Sequence, residues 1–343
     1  MLATSARLGL SLMLIVFISF SIVVVMNPAL MGSLADLQDG KLQTFKTMFV
    51  SIVLEAFPFI LLGVMLSSLL QVFVPDRVVQ RLIPKNPLLG VVVACLLGIV
   101  FPICECGMIP VARRLIKKGF PVYAAVVFLL AGPIINPVVF ASTYMAFRGR
   151  PEILYGRMGL AFLVAALIGL LVYAFARKDP LRPTPGDRSH RHHDHHHEHR
   201  HDGHRGASGG SKLLSTFEHA SGEFFDMGKY LIFGAFITAA VQTFHDRGSL
   251  VGIANSEWLS AAFMMGFAYM LSICSTSDAF VASSFATTFS ASSLVAFLVF
   301  GPMIDAKSTL MMLSAFRAKF VAGIAALTFV FVSIGVFLFD RFV

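Results

Sequence analysis

Hydrophobic positions along this chain fall in long, nearly unbroken runs, and polar positions collect between the runs or at a few sharp interruptions within them. Leu8 to Met26 is a first apolar run behind Arg7; no small-x-small cleavage site follows it cleanly, so it reads as a retained membrane helix rather than a signal peptide. Phe45 to Val74 is a span long enough to tilt in a bilayer. Leu88 to Ile103 covers only part of a normal span before a cysteine motif stops it, and a short amphipathic piece, Ile109 to Lys118, comes next. Val122 to Phe147 is broken by GPIINP, and Ile153 to Ala176 is a clean span. A similar series then returns: Phe224 to Phe244, Leu259 to Ile273, an uncharged SSFATTFSASS stretch, Leu294 to Ala315 containing GPMID, and Val321 to Phe339. The pattern predicts an all-α polytopic membrane protein with roughly eight or nine apolar segments.

The two series repeat each other. Ser51 to Phe73 lines up with Gly222 to Phe244, so that Gly63 falls on Gly234 and Gln71 on Gln242. PICECGMIP around Cys104 and Cys106 meets SICSTSDAF around Cys274, and AGPIIN with Asn136 meets FGPMID with Asp305. Weakly similar halves whose Gly-, Pro- and Cys-interrupted apolar segments coincide point to a transporter with its binding site at the repeat interface. The implied organisation is an N-terminal membrane helix and loop over 1–43, a first membrane repeat over 44–176, a hydrophilic linker over 177–212 and a second membrane repeat over 213–343.

Composition agrees with a lipid setting: 57% of residues are hydrophobic, 13% are charged and the mean hydropathy is +0.79, which argues strongly against a soluble protein. The formal net charge of +8 would suggest nucleic acid in a soluble chain. Here the basic residues sit in loops between apolar runs, where they set orientation, so no nucleic-acid partner is expected. Four cysteines, two of them spaced C-x-C, do not form a disulfide framework and point to thiol chemistry.

The linker is rich in Pro, Gly and His, cannot bury a core, and is expected to be a disordered, solvated connector. It holds nine of the eleven histidines between His190 and His204, eight of them in RHHDHHHEHRHDGH. One reading is a charged hydrophilic tether; the functional one is weak, exchangeable capture of a divalent metal ion by His192, His193, His195, His196, His197, His199 and His201. No other cofactor is called for.

Charge distribution favours inverted repeats. The loop after the first cysteine motif carries Arg113, Arg114, Lys117 and Lys118, whereas its mate after Cys274 carries only Asp278. Equivalent loops of opposite bias belong on opposite sides of the membrane, which requires an odd number of crossings per repeat and makes the cysteine-bearing runs re-entrant. Arg7, Arg77, Arg81, Lys85, Arg317 and Lys319 then join the linker in the cytoplasm, leaving Arg148, Arg150 and Arg157 outside.

Chemistry concentrates in PICECGMIPVARRLIKKG. Pro102 and Gly107 are expected to interrupt a helix, placing Cys104 and Cys106 on irregular backbone where a C-x-C pair can aim two sulfurs at one ion. Soft thiolates select thiophilic partners. Cys274 occupies the position equivalent to Cys104 and could bring a third sulfur across the pseudo-twofold axis, while the lone Cys95 reads as packing. Glu105, an ionisable group inside a membrane, handles the coupled proton or pairs with a base such as Arg113. Asn136 and Asp305 supply matched acceptors at the Gly-Pro breaks; Asp305 and Lys307 could also neutralise one another, and Asp278 with its neighbouring hydroxyls lines the opposite wall.

CECG followed by IPVARRLIKKG, FLLAGPIINPVV, a hydrophilic centre, ICSTSDAF and FGPMIDAKS resembles the bacterial predicted-permease family that includes the ArsP-type organoarsenical efflux permeases. The resemblance covers roughly Phe45 to Phe339 and implies a multi-pass permease of the inner membrane, with efflux of trivalent organoarsenicals in some members. The His linker departs from that pattern and pulls toward divalent metal ions. The resulting expectation is a non-enzymatic permease exporting a thiophilic solute, organoarsenical or soft metal ion, coupled to protons. Its substrate-binding residues would be Cys104, Cys106, Cys274, Glu105, Asn136, Asp278 and Asp305. Its partners would be the lipid bilayer, the solute, and a second copy or a membrane or soluble subunit. The alternative is a non-transporting membrane subunit that handles metal or thiols for a partner protein.

Overall fold

A computed structural model describes residues 41–75, 77–79, 86–100, 104–175, 180–182, 209–244 and 257–342. The apolar run Leu8 to Met26, Pro102 and all seven linker histidines named above lie outside the described residues. In chain order the first half runs α1 (Lys41–Phe73), α2 (Pro87–Val100), α3 (Glu105–Lys117), α4 (Val122–Ala131), α5 (Pro137–Ala146) and α6 (Pro151–Phe175). The second runs α7 (Gly209–Phe244), α8 (Glu257–Leu271), α9 (Asp278–Ser283), α10 (Ala291–Met303), α11 (Ala306–Ala315) and α12 (Ala318–Phe342). The described residues are helical throughout apart from turns and one isolated bridge between Leu181 and Phe316. Among the described residues, five stretches are long and apolar enough to cross a membrane: Leu42–Leu70, Pro151–Phe175, Phe224–Thr243, Ala291–Ala315 and Ala318–Arg341. α2 and α3, with 14 and 13 residues, each reach only about 20 Å against a hydrocarbon core of about 30 Å.

Side-chain contacts fix the directions of the helices. α1 and α7 run antiparallel, since Phe45 meets Phe236 and Phe57 meets Phe224. α6 and α12 are antiparallel as well, with Gly156 against Phe339 and Gly335 against Leu160. α2 and α4 are parallel, through Gly90 on Tyr123 and Gly98 on Gly132, and so are α8 and α10, through Ser260 on Ser293 and Gly301 on Ala268. The core is α4 and α10, apolar all round and buried along almost their whole length. The outer helices keep large apolar side chains exposed, Leu54, Leu61 and Met65 on α1 and Leu163 and Leu167 on α6, as a lipid-facing surface requires.

Each Gly-Pro motif breaks its helix as the sequence predicts. α4 ends at Ala131, and Asn136 starts α5 by accepting a hydrogen bond from the Val138 N–H (2.9 Å). α10 ends at Met303, and Asp305 starts α11 in a reciprocal box with Ser308, whose hydroxyl accepts from the Asp305 N–H (3.1 Å).

Two expectations need correction. Gly107 does not interrupt a helix and Cys106 is not on irregular chain: the Cys104 carbonyl accepts from the Gly107 and Met108 N–H groups (3.0 and 3.2 Å), so α3 is already running at Glu105. Gly107 serves packing instead, because a Cβ on Gly63 of α1 would collide with its carbonyl oxygen. The connector is also tied down at its start. Leu181 packs on the core, the Arg182 N–H donates to the Ala315 carbonyl and the Arg317 N–H to the Pro180 carbonyl (both 2.9 Å), while α7 begins inside the connector's predicted far end. An apolar side chain at 181 with a free edge opposite at 316 is enough to order this short strap.

Candidate substrate site

The short helices α3, α5, α9 and α11 pair across the two halves. α3 packs against α11 and α5 against α9, so each corner combines one element from each half. Helix starts carry unsatisfied N–H groups and the positive end of the helix dipole, which explains why acidic residues cluster there.

At the α3/α11 corner, Cys104 is the N-terminal cap of α3 in extended backbone (φ −67°, ψ 166°) and makes no side-chain capping bond. Cys106 follows two residues on in the first turn of α3, buried where Cys104 is half-buried. Glu105 between them is buried, and Lys307 from the first turn of α11 places its Nζ 3.6 Å from Glu105 Oε1. Lys307 Nζ also donates a long bond (3.4 Å) to the Ser272 carbonyl oxygen, and its N–H donates to the Ser272 hydroxyl (3.4 Å). Ser272 has φ +46°, the sole non-glycine residue in the left-handed region among those described. Strain of this kind persists only where neighbours over-determine it, and here it presents both polar atoms of Ser272 to Lys307. Glu105 Oε2 and Asp305 Oδ2 are buried without a hydrogen-bond partner among the described residues.

At the α5/α9 corner, Arg157 of α6 is completely buried. Its Nη1 donates to Thr143 Oγ1 (2.8 Å), and its Nη2 donates to the Ser275 carbonyl oxygen (3.0 Å) and to Asp278 Oδ2 (2.7 Å). Asp278 Oδ1 has no partner among the described residues. Asn136 caps the start of α5, two turns before Thr143.

Measured against the sequence reading, Cys104, Glu105 and Cys106 come together as a unit, and Asp305 joins them across the repeat boundary. Glu105 meets Lys307 rather than Arg113, because Arg113 lies two turns along α3 and sends Nη2 to the Arg182 carbonyl (3.5 Å). Asp305 makes no direct ion pair with Lys307 among the described residues, although its charge acts on Lys307; its Oδ1 caps α11 and its Oδ2 has no hydrogen-bond partner there. Cys274 shares a 3.4 Å contact with Thr276 Oγ1, and no three His, Cys, Asp or Glu side chains converge at metal-binding distance among the described residues, so a third sulfur does not join the first two. All four cysteines are free, and Cys95 packs in α2. Arg157, expected to face outward, is instead the most deeply set charge of the centre. A charge inside a predicted span was the available signal for it.

An α-helical, multi-pass architecture whose middle holds broken helices and buried ion pairs is that of a membrane permease. The chain belongs to the ArsP_1 family, described as predicted permease, whose profile matches residues 41–340. It is 47% identical over 275 residues to UPF0718 protein YcgR of Bacillus subtilis strain 168, covering 80% of this chain and 90% of that one. It is 36% identical over 278 residues to a Streptococcus mutans protein named "Putative two-component membrane permease complex subunit", covering 80% and 87%. No solved structure matches it.

Proposed function

We propose that this protein is an inner-membrane permease that exports a thiophilic solute, a trivalent organoarsenical or a soft metal ion, through a midplane site between its two halves. The observation that carries the reading is the pair of cysteines at the start of α3, Cys104 as its cap and Cys106 in its first turn, flanking Glu105, whose ion pair with Lys307 joins both halves. Two cysteines in one motif fit a solute that forms two bonds to thiolate. A dihydroxy methylarsenic species would form two As–S bonds as two As–O bonds break, each thiol proton leaving with a hydroxyl as water. A divalent cation would displace the two protons instead.

Inverted repeats are the architecture this mechanism uses. Support comes from the antiparallel pairing of α1 with α7 and of α6 with α12, and from matched contacts: Gly90 on Tyr123 answers Ser260 on Ser293, and Gly98 on Gly132 answers Ala268 on Gly301. α2 with α3, and α8 with α9, are then re-entrant hairpins meeting at the centre. Lys118, whose Nζ donates to the Val74 carbonyl (2.6 Å), Arg113, Arg182 and Arg317 gather at one end, which the positive-inside rule makes cytoplasmic. In the transport step Lys307 shifts between Glu105 and the solute-bearing sulfurs, and protons drive the return. The His-rich linker serves as a cytoplasmic metal-collecting tether.

Uptake into everted vesicles of methylarsenite, arsenite, Zn²⁺, Cd²⁺ and Cu(I) tests the reading. The Cys104→Ser, Cys106→Ser double variant is expected to insert normally and to lose transport of the accepted solute. Wild-type transport by that variant excludes the thiol site. A second reading, a subunit acting with a partner, is favoured by the name of the Streptococcus relative. A requirement for a co-expressed protein before any uptake appears would support it.

A further inference from the structure

The seam between α6 and α12 is closed at one end and open at the other. Where the start of α6 meets the end of α12, a Cβ on Gly156 would strike the Phe339 ring (2.6 Å) and one on Gly335 would strike Leu160, so side chains already fill the space. At the opposite end, Leu171 and Phe175 from the last turns of α6 and Phe320, Gly323 and Leu327 from the first turns of α12 line a groove of about 380 Å³. Gly323 leaves the room: a Cβ added there would meet no atom within 4 Å. Ligand sites generally measure about 300–1,000 Å³, and the lining of this one is apolar apart from Lys319.

The groove is ordered along the membrane normal. Phe175 ends the span Pro151–Phe175 and Lys319 is the second residue of the span Ala318–Arg341, so both walls begin at the same boundary of the hydrocarbon. Leu327 is eight residues beyond Lys319, about 12 Å deeper along α12. A charged rim followed by an apolar trough that runs inward matches the order of a phospholipid, headgroup first and acyl chain after. The charge selects among lipids. Lys319 is exposed and makes no hydrogen bond or ion pair among the described residues. Arg317, also exposed, precedes it by two residues, the strap brings Arg182 to the neighbouring Ala315 carbonyl, and no acid lines the groove.

We propose that this groove is a binding site for an anionic phospholipid, with one acyl chain lying along Gly323 and the phosphate group at Lys319. A lysine or arginine near the membrane surface raises affinity for anionic lipid about fivefold. The apolar trough supplies the rest, since each methylene taken up contributes further and two of them are already worth about tenfold. The site lies on the outside of the bundle and its occupancy is read without transport, so it stands or falls apart from the thiol site.

Native mass spectrometry of the full-length protein in detergent tests it, by titration with dioleoylphosphatidylglycerol and with dioleoylphosphatidylcholine, which carry the same chains. The wild type is expected to bind its first anionic lipid about fivefold or more tightly than the zwitterionic one, and Lys319→Gln to reduce that preference about fivefold. Gly323→Leu occupies the groove with a better helix former and is expected to weaken phosphatidylglycerol binding about tenfold or more. Gly159→Leu, at another exposed glycine of α6 with open space around it, should leave binding within about twofold of the wild type. Glycerol 3-phosphate, which has the charge without the chains, should not displace the lipid. Equal affinity of the wild type for the two lipids, an unaltered preference in Lys319→Gln, or wild-type binding by Gly323→Leu overturns the proposal. An equal loss in Gly159→Leu, or displacement by glycerol 3-phosphate, overturns it as well. Should Gly323→Leu misfold, the Lys319→Gln result decides alone.

Discussion

At the α5/α9 corner a guanidinium is held by three contacts of 2.7 to 3.0 Å, whereas at the α3/α11 corner an ammonium reaches its carboxylate at 3.6 Å and a carbonyl at 3.4 Å. Both corners are buried and both join one half to the other, so their difference lies in how tightly the charge is held. Arg offers a planar fork of donors that can satisfy several acceptors at once, while Lys is a point charge on a flexible stem. The first corner is therefore a brace. The second, with long contacts and two thiols beside it, is the part that can rearrange around a solute at small expense.

The largest expected effect comes from breaking the brace. Arg157→Leu leaves Asp278 buried and uncompensated, which should destabilise the folded protein by about 3–5 kcal/mol, read as a lower melting temperature or loss of folded material in detergent. Adding Asp278→Leu should recover much of that loss, because an apolar pair can replace a buried ion pair. No recovery would mean that the charges, rather than their pairing, hold the corner. Lys307→Met should be milder, about 1–3 kcal/mol, since the bonds removed are long, while transport falls with it. A Lys307→Met protein as unstable as Arg157→Leu would erase the distinction between the corners.

The glycines under the two long helices sharpen the comparison further. Gly63→Ala forces a Cβ into the Gly107 backbone and should cost about 1–3 kcal/mol, whereas the matched Gly234→Ala meets Lys307 Cα at 3.3 Å and should stay within about 1 kcal/mol. Equal melting temperatures for the two variants would show that α1 and α7 are not seated as unequally as the contacts imply. The smallest effect is expected at Cys95→Ser, remote from both corners, where the new hydroxyl can bond back to the helix carbonyl four residues earlier; stability should change by less than about 1 kcal/mol and transport not at all. Cysteine tags at Lys117 and Ser290, both exposed, should label from opposite faces of the membrane, and labelling from one face would break the equivalence of the corners altogether.

Much of this was readable before any coordinates. The interruptions at GPIINP and GPMID announce themselves, because proline and glycine end helices for local reasons, and the cysteine-bearing short runs are too brief to span for reasons of length alone. What sequence could not give was who meets whom. Glu105 has Arg113 two turns away on its own helix, yet it is Lys307 of the other half that faces it. Lys307 has Asp305 two residues before it, but the direct ion pair it makes is with Glu105, while Asp305 Oδ1 caps α11. Arg157, six residues into its span, is assigned to the outer side by the charge pattern; only the approach of α9 shows that it belongs to the interior. Local chemistry is encoded locally, whereas these pairings depend on how the halves dock.

Because each half owns one acid and one base whose mates lie in the other, neither half is electrically complete when it leaves the ribosome. Arg157 is made 121 residues before Asp278. At a translation rate of about 5–20 residues per second, the first half waits about 6–24 s for its counter-charge. During that interval Glu105 and Arg157 cannot rest in lipid, so the nascent chain must be kept at a hydrated surface or in the insertion machinery until its second half arrives. The crossed charges thus act as a biosynthetic checkpoint, releasing the protein into the bilayer only when both halves are present.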